Sequence, residues 1–288
     1  MHSSIRRCQP LLGTFVEVSL EGPRSQAELI ALSGEVFTEI RRIDGLLSFH
    51  REDSELSHIN LHAARALQAI SDDLRDVLRE ALWLSALSNG AFDISVAPTL
   101  IARGALPDHG PAAAPEADWR DIELDGNRVR FGRALVVDLG GIAKGYAVDR
   151  AMALIPADVS ACVNAGGDLR MRHWRQEHFA IRVPGSPLRA TVSLPMRNAA
   201  VASSIGCPGD HLGMIIDPRE RRPVRDPRSY SVFAANAMRA DALTKVACLM
   251  PSCAAIMRCA GAEAIAIDAE GNMQELCDPA TMAEISRA

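Results

Sequence analysis

LVVDLGGIAKGYAVDRAMALI, residues 135–155, holds in one run an apolar β-branched triplet, two adjacent glycines and a helical pattern. Leu135, Val136 and Val137 predict a short strand. Gly140 and Gly141 permit a turn that side chains would obstruct. Ala147, Val148, Ala151, Met152 and Leu154 follow at helical spacing, so the stretch is expected to be a strand that feeds a helix through a glycine corner. The first turn of such a helix offers unpaired N–H groups and the positive end of its dipole, where an anionic group such as a phosphate can dock beside Lys144. The pattern is not Walker A, because Lys144 precedes Gly145 and no hydroxyl residue follows, and it is not GxGxxG. A tight packing corner with no ligand is the equal alternative.

Working outward, 288 residues of which 48% are hydrophobic suffice for a substantial core in one large domain or two intimate ones. A net charge of -5 with 4% aromatic residues argues against a nucleic-acid surface, which would want basic stripes and stacking rings. An enzyme or a ligand binder fits better. No uncharged apolar run has the length of a membrane span, and MHSSIRRCQP at the N-terminus lacks the apolar centre of a signal peptide. A cytoplasmic location is expected. The seven cysteines are odd in number, and Cys248, Cys253 and Cys259 lack the paired spacings of zinc sites, so reduced thiols are expected.

Along the chain, alternation from Phe15 to Leu20 predicts a strand closed by Gly22-Pro23. A long amphipathic helix starting at Ser25 follows, with Leu29, Leu32, Val36, Ile40, Ile43 and Leu47 in one stripe. DSEL opens a further helix capped by Asp53 or Ser54. The next helix runs from about Ser71 to Leu87 and stops at Asn89-Gly90. Asp93 interrupts the apolar stretch GAFDISVAPTL, where a carboxylate caps a turn or binds something. Residues 103–118 read as a mobile surface excursion, and DIELDGNRVRFG as a hairpin turning at Asp125-Gly126. ACVNAGGDLRMR predicts a buried strand broken by Gly166-Gly167, whose lack of side chains lets a backbone or flat ligand approach. FAIRVPG, RATVSLPM and the AAVASSIG region predict further strands, the last leading into a basic loop. Ser231–Ala235 is expected as a strand and 237–250 as a helix ending at Pro251. On that helix Asp241, Thr244 and Lys245 project to one side, either as a surface pair plus a threonine or as a site. AGAEAIAIDAEGNMQEL closes the chain as a hairpin.

Taken in order, LGTFVEV, DSELSHIN, GAFDISVAP, VDLGGIAKGYAVD, VNAGGDL, IIDPR and ADALTKVA resemble the ApbE family of flavin transferases, which use FAD to attach FMN covalently to a protein. The resemblance spans nearly the whole chain and implies one domain over residues 1–288. It implies an α+β fold of mixed sheets with packed helices, related to the T-fold, with a flavin cleft between its halves and a magnesium ion at the pyrophosphate. It also makes a periplasmic location the alternative to the cytoplasm.

Residue by residue, the resemblance implies flavin contacts at Leu12, His50, Ala91, Phe92, Asp93 and Ile216. Asp138 and Lys144 would touch the cofactor beside the glycine corner. The main-chain oxygen of Gly141, with Asp241 and Thr244, would hold Mg²⁺, a cation that prefers oxygen ligands shared with phosphates. Two positions depart from the family pattern. Lys245 stands where a second hydroxyl ligand is usual, and a protonated lysine cannot bind Mg²⁺. Met214 stands where a histidine usually precedes the DP aspartate, leaving His211 as the expected general base. The expected function is transfer of FMN from FAD to a threonine or serine hydroxyl of an acceptor protein with release of AMP, Lys144, Lys245 and His211 carrying the catalysis. A flavin-binding protein without transfer and a metal-dependent FAD pyrophosphatase are the alternatives.

Overall fold

The computed structural model describes residues 2–173, 178–185, 190–196, 200–206 and 214–277. Ser3–Leu11 (β1) alternates half-buried and exposed side chains and pairs antiparallel with Thr14–Gly22 (β2). The turn between them carries Leu12 and Gly13 at φ 55° and 67°. No strand is expected before Phe15 from the sequence, so β1 is new. Its alternation is between half-buried and exposed rather than apolar and polar, as an edge strand permits.

Ser25 caps Gln26–Leu47 (α1) in a reciprocal capping box with Glu28, and Leu29, Val36, Ile40 and Ile43 are buried as their spacing requires. Ser54 rather than Asp53 caps Glu55–His62 (α2). After Gln68–Ala69 (β3), Ser71 caps Asp72–Leu87 (α3), which ends where Asn89 and Gly90 take positive φ. A 3₁₀ turn at Ile94–Val96 leads into Ala97–Ala102 (α4). Ile122–Asp125 (β4) and Arg128–Phe131 (β5) form the expected hairpin and, with β3, a small sheet. The segment 103–118, expected to be a surface excursion, folds back instead: His109 Nε2 lies 2.8 Å from the Phe49 carbonyl, and Ala114 N–H donates to Ala134 O.

Leu135–Val137 is buried but joins no sheet, which corrects the expected strand. The Asn60 side chain replaces a strand partner, accepting from Val137 N–H and donating to Val137 O, each at 2.9 Å. Backbone groups inside a protein must be paired, and one amide side chain can satisfy both of these. The helix that follows is Ala143–Ala153 (α5). Ser160–Ala165 (β6) and Asp168–Arg172 (β7) are two antiparallel strands with Gly166 and Gly167 as their turn, at φ 66° and 110°, not one interrupted strand. The flat approach inferred for this glycine pair belongs to Thr14, whose hydroxyl would lie 2.5 Å from a Cβ on Gly166.

The remaining elements are His178–Arg182 (β8), Thr191–Pro195 (β9), Ala200–Ile205 (β10), Ile216–Asp217 (β11), Arg222–Pro223 (β12) and Ser229–Ala234 (β13). Ala237–Leu249 (α6), Ala254–Cys259 (α7), Glu263–Ile267 (β14) and Met273–Glu275 (β15) complete the order. An antiparallel sheet of order β1-β2-β6-β7-β10-β13-β14-β15 organises them. Helices α1, α5 and α6 pack against this sheet. Along β7, Asp168 and Arg170 turn toward α5, while Leu169 and Met171 join Phe179 and Ile181 of β8 in a second, smaller apolar cluster. The architecture is α+β, as expected. Among the described residues no helix is long and apolar enough to cross a membrane, and the six cysteines among them are free.

Candidate active site

Two helices meet at a glycine to form this site. A Cβ on Gly145 of α5 would lie 2.2 Å from the Ala237 carbonyl of α6, so the two backbones touch where side chains would hold them apart. Asp149 of α5 strengthens the junction by accepting from the N–H groups of Ala237 and Met238 at 3.0 and 2.8 Å. This brings Lys144, at the start of α5, beside Asp241 and Lys245 of α6.

The polar groups there form a closed set. Lys144 Nζ donates to Asp168 Oδ2 at 2.5 Å, and Lys245 Nζ donates to Asp241 Oδ1 at 2.5 Å and to the Asp241 carbonyl at 3.0 Å. Gly145 N–H donates to Asp241 Oδ2 at 3.3 Å. The anion at the first turn of α5 is therefore a carboxylate of the protein itself, where a ligand phosphate had been expected. Thr244 donates to the Asp241 carbonyl at 2.7 Å, so the 2.8 Å contact between the Ser204 and Thr244 hydroxyls has Ser204 as donor. Asp241 and Thr244 are 1% and 0% exposed, which rules out the surface-pair reading.

Burial sets the protonation balance. It opposes ionisation of Asp241, but the ammonium groups of Lys245 and Lys144 outweigh it and hold that carboxyl below the usual range. Burial, with the nearby Asp241 charge, pushes Asp168 up to about 6 against the pull of Lys144. Burial also works against the Lys144 ammonium, yet Asp241 and Asp168 raise its pKa above the ordinary lysine value. Both shifts are upward, so at neutral pH Asp168 lies above its own titration, Lys144 keeps its proton, and the short contact is an ion pair.

The lysines face a cleft of about 290 Å³. Lys144, Gly140, Gly141 and Asp138 line one wall with Lys245 and Ser204. Ala91, Phe92 and Asp93 line another with Ile216, and His50 reaches the rim. Asp93 also caps the 3₁₀ turn by accepting from Ser95 N–H at 2.8 Å, so its capping role is met, and burial raises its pKa. Burial likewise raises that of Asp138. Leu12 sits in the β1–β2 turn and is not part of the cleft lining. Asp241 and Thr244 lie behind Lys245 rather than on the surface of the cleft. Met214 lines it, while His211 lies outside the described residues.

Four participants escaped the sequence reading. Asp168 is the penultimate residue of the VNAGGDL segment, and the reasoning applied to Asp93, that a carboxylate in an apolar run needs a partner, would have singled it out. Ser204 carries no such signal, because its role depends on β10 lying beside α6. Ala105 and Leu106 complete a wall of the cleft from a segment whose composition suggested only a loop.

Fold and cleft together define an α+β protein with two lysines, from two helices, lining one cleft. The ApbE family model matches residues 12–267, and the chain belongs to the ApbE family. Among similar curated proteins, the FAD:protein FMN transferase of Treponema pallidum is 29% identical, covering 91% of this chain and 83% of that protein. The protein of that name from Vibrio cholerae is 26% identical over 81% of this chain and 78% of its own. Among solved structures, an ApbE protein of Thermotoga maritima has TM-score 0.82 at 22% identity, covering 97% of this chain and 99% of that one. The Vibrio cholerae flavin transferase ApbE has TM-score 0.83 at 23% identity, covering 98% and 99%. These similarities establish the fold.

Proposed function

We propose that this chain is an FAD:protein FMN transferase. A threonine or serine hydroxyl of an acceptor protein attacks the phosphorus on the riboflavin side of FAD. A new P–O bond to the acceptor forms, the bridging P–O bond breaks, AMP departs, and the hydroxyl proton passes to a base and then to solvent or AMP. The observation that carries this reading is the convergence of Lys144 and Lys245, from two helices, on one cleft with apolar walls at Phe92 and Ile216. Cationic groups fixed before the reaction stabilise charge that develops on the phosphates. The apolar walls suit an isoalloxazine ring. His211 remains the proposed base, from a position outside the described residues.

Magnesium fits this site poorly. The oxygen donors that would hold it, on Asp241, Thr244 and the Gly141 main chain, are of the right chemical kind. However, Asp241 Oδ1 is engaged by the Lys245 ammonium, and the Thr244 oxygen, which donates to the Asp241 carbonyl, already accepts from Ser204. No step is routed through a metal. The contact at Asp241 equally favours, as the second reading, a flavin-binding protein that does not transfer. Incubation with FAD and a candidate acceptor, followed by mass measurement of the acceptor and assay of AMP, separates the two. FMN mass on the acceptor with equimolar AMP is expected. Free FMN with AMP would point to a pyrophosphatase, and tight FAD binding with neither product to a carrier.

A further inference from the structure

Lys245 engages Asp241 and passes beside Gly141, two of the three residues whose oxygens the family resemblance offers to a divalent cation. Nζ lies 2.5 Å from Asp241 Oδ1 and 3.0 Å from the Asp241 carbonyl, and that carbonyl already accepts the Thr244 hydroxyl. The other Asp241 carboxylate oxygen faces Gly145 N–H. The lysine stem crosses Gly141 so closely that a Cβ there would meet Cε at 3.2 Å and Nζ at 3.8 Å. This gives the second glycine of the corner a reason to lack a side chain. Mg²⁺ requires near-octahedral oxygen ligation at about 2.0–2.1 Å. A protonated lysine brings donors and no lone pair. A cation cannot reach Asp241 Oδ1 without displacing the ammonium.

Charge balance leads to the same result. Asp168 and Asp241 contribute two negative charges, and Lys144 and Lys245 two positive ones, so the buried set is neutral as it stands. A divalent ion added to it would meet two ammonium groups whose carboxylate partners are already engaged, with Asp138 on the cleft wall as the further acid nearby. Removing the Lys245 charge instead leaves the set one charge negative, with an aspartate oxygen uncovered.

We infer that the Lys245 ammonium takes the place of the divalent cation, so that this site works without metal. Nζ anchors on Asp241 through two of its three donors and offers the third to a phosphate oxygen in the cleft. The identity of that phosphate rests on the transferase reading, while the occupation of the cation position does not.

The test has one binding arm and one activity arm. Mn²⁺, a paramagnetic probe, is titrated into the FAD-loaded protein, Lys245→Thr and Lys245→Met, and the bound ion is counted by electron paramagnetic resonance. The threonine variant should bind one ion at least about tenfold more tightly than the parent, because it regains a hydroxyl ligand and uncovers Asp241. The methionine variant, similar in length but without charge or oxygen, should stay below it. Retained FAD binding reports that each variant is folded. In the activity arm, FMN transfer by the parent should be unchanged in EDTA, while Lys245→Thr should fall by about a hundredfold and recover on addition of Mg²⁺. A stoichiometric Mn²⁺ site in the parent, loss of its activity in EDTA, or full metal-free activity of Lys245→Met would overturn the inference. If the parent transfers nothing under any metal condition while Mn²⁺ binding stays confined to the threonine variant, the transferase reading fails and the assignment of the cation position stands.

Discussion

Asp168 is the residue whose protonation the cleft should register. Its carboxyl is pushed up to about 6 by burial and by Asp241, and while ionised it holds the Lys144 ammonium. Protonation below that value cancels the negative partner and leaves the ammonium to a ligand. FAD keeps its pyrophosphate charge over the range, so its affinity should rise as pH falls from about 7.5 to about 5.5, by up to about tenfold for one charge pair. Isothermal titration across that range measures it. Asp168→Asn should bind FAD more tightly at pH 7.5 and show a flatter profile, and an identical slope in the two proteins would remove Asp168 from the effect. The sign for stability follows from the same shift. A carboxyl raised in the folded state binds its proton more readily there than in the unfolded chain, so Asp168 favours folding at low pH and this contribution is lost as pH rises through about 4 to 6. Residues of this kind are half legible in a sequence. Lys144, Asp241 and Lys245 stood out because polar groups clustered in small apolar segments, whereas the pairing of Lys144 with Asp168 depends on strand β7 lying under α5.

Helices were readable from their own chemistry. Ser25 with Glu28, Ser54 and Ser71 start them, and Asn89-Gly90 stops one, because caps and left-handed positions are local requirements. The segment Leu135–Val137 misled for the converse reason: a buried apolar run looks the same whether its backbone is paired by a strand or by a side chain. That substitution is testable. Asn60→Leu keeps the volume but leaves the Val137 N–H and C=O without their partners, and should cost about 3 kcal/mol in urea unfolding. A change below about 0.5 kcal/mol would mean that water or a shifted backbone satisfies both groups. The α5–α6 junction makes a second element-scale prediction. Gly145→Ala must force α6 away from α5, and a loss of about 3 kcal/mol is expected, with FAD affinity falling alongside as Lys144 and Lys245 separate. Destabilisation with unchanged FAD affinity would show that the spacing of the lysines does not depend on this contact.

At the scale of the molecule, two apolar clusters share the main sheet unequally. Helices α1, α5 and α6 bury Val16, Val18, Ala161 and Val163 in the larger one, while β8 and β9 cover Leu169, Met171 and Ile267 in the smaller. Hydrogen exchange should therefore find β8 and β9 opening separately and sooner than β2 and β6, because fewer buried contacts hold them. Equal protection by mass spectrometry would indicate one cooperative unit instead. Net composition and periodicity sufficed to expect mixed strands and helices, yet the strand order was beyond them. Pairing between β2 and β6, more than 130 residues apart, is decided by which faces fit together, not by any local signal.

The backbone contact at Gly145 also bears on timing. With no side chain between α5 and α6, and with Asp149 tying one helix to the first turn of the other, the ammonium groups hold their separation before any ligand arrives. The ordering cost is met during folding, and an incoming phosphate need not rearrange the protein to find its partners. Capture should then be governed by encounter: its rate would fall with added salt as the lysines are screened, while the dissociation rate would report how well the apolar walls retain the ring.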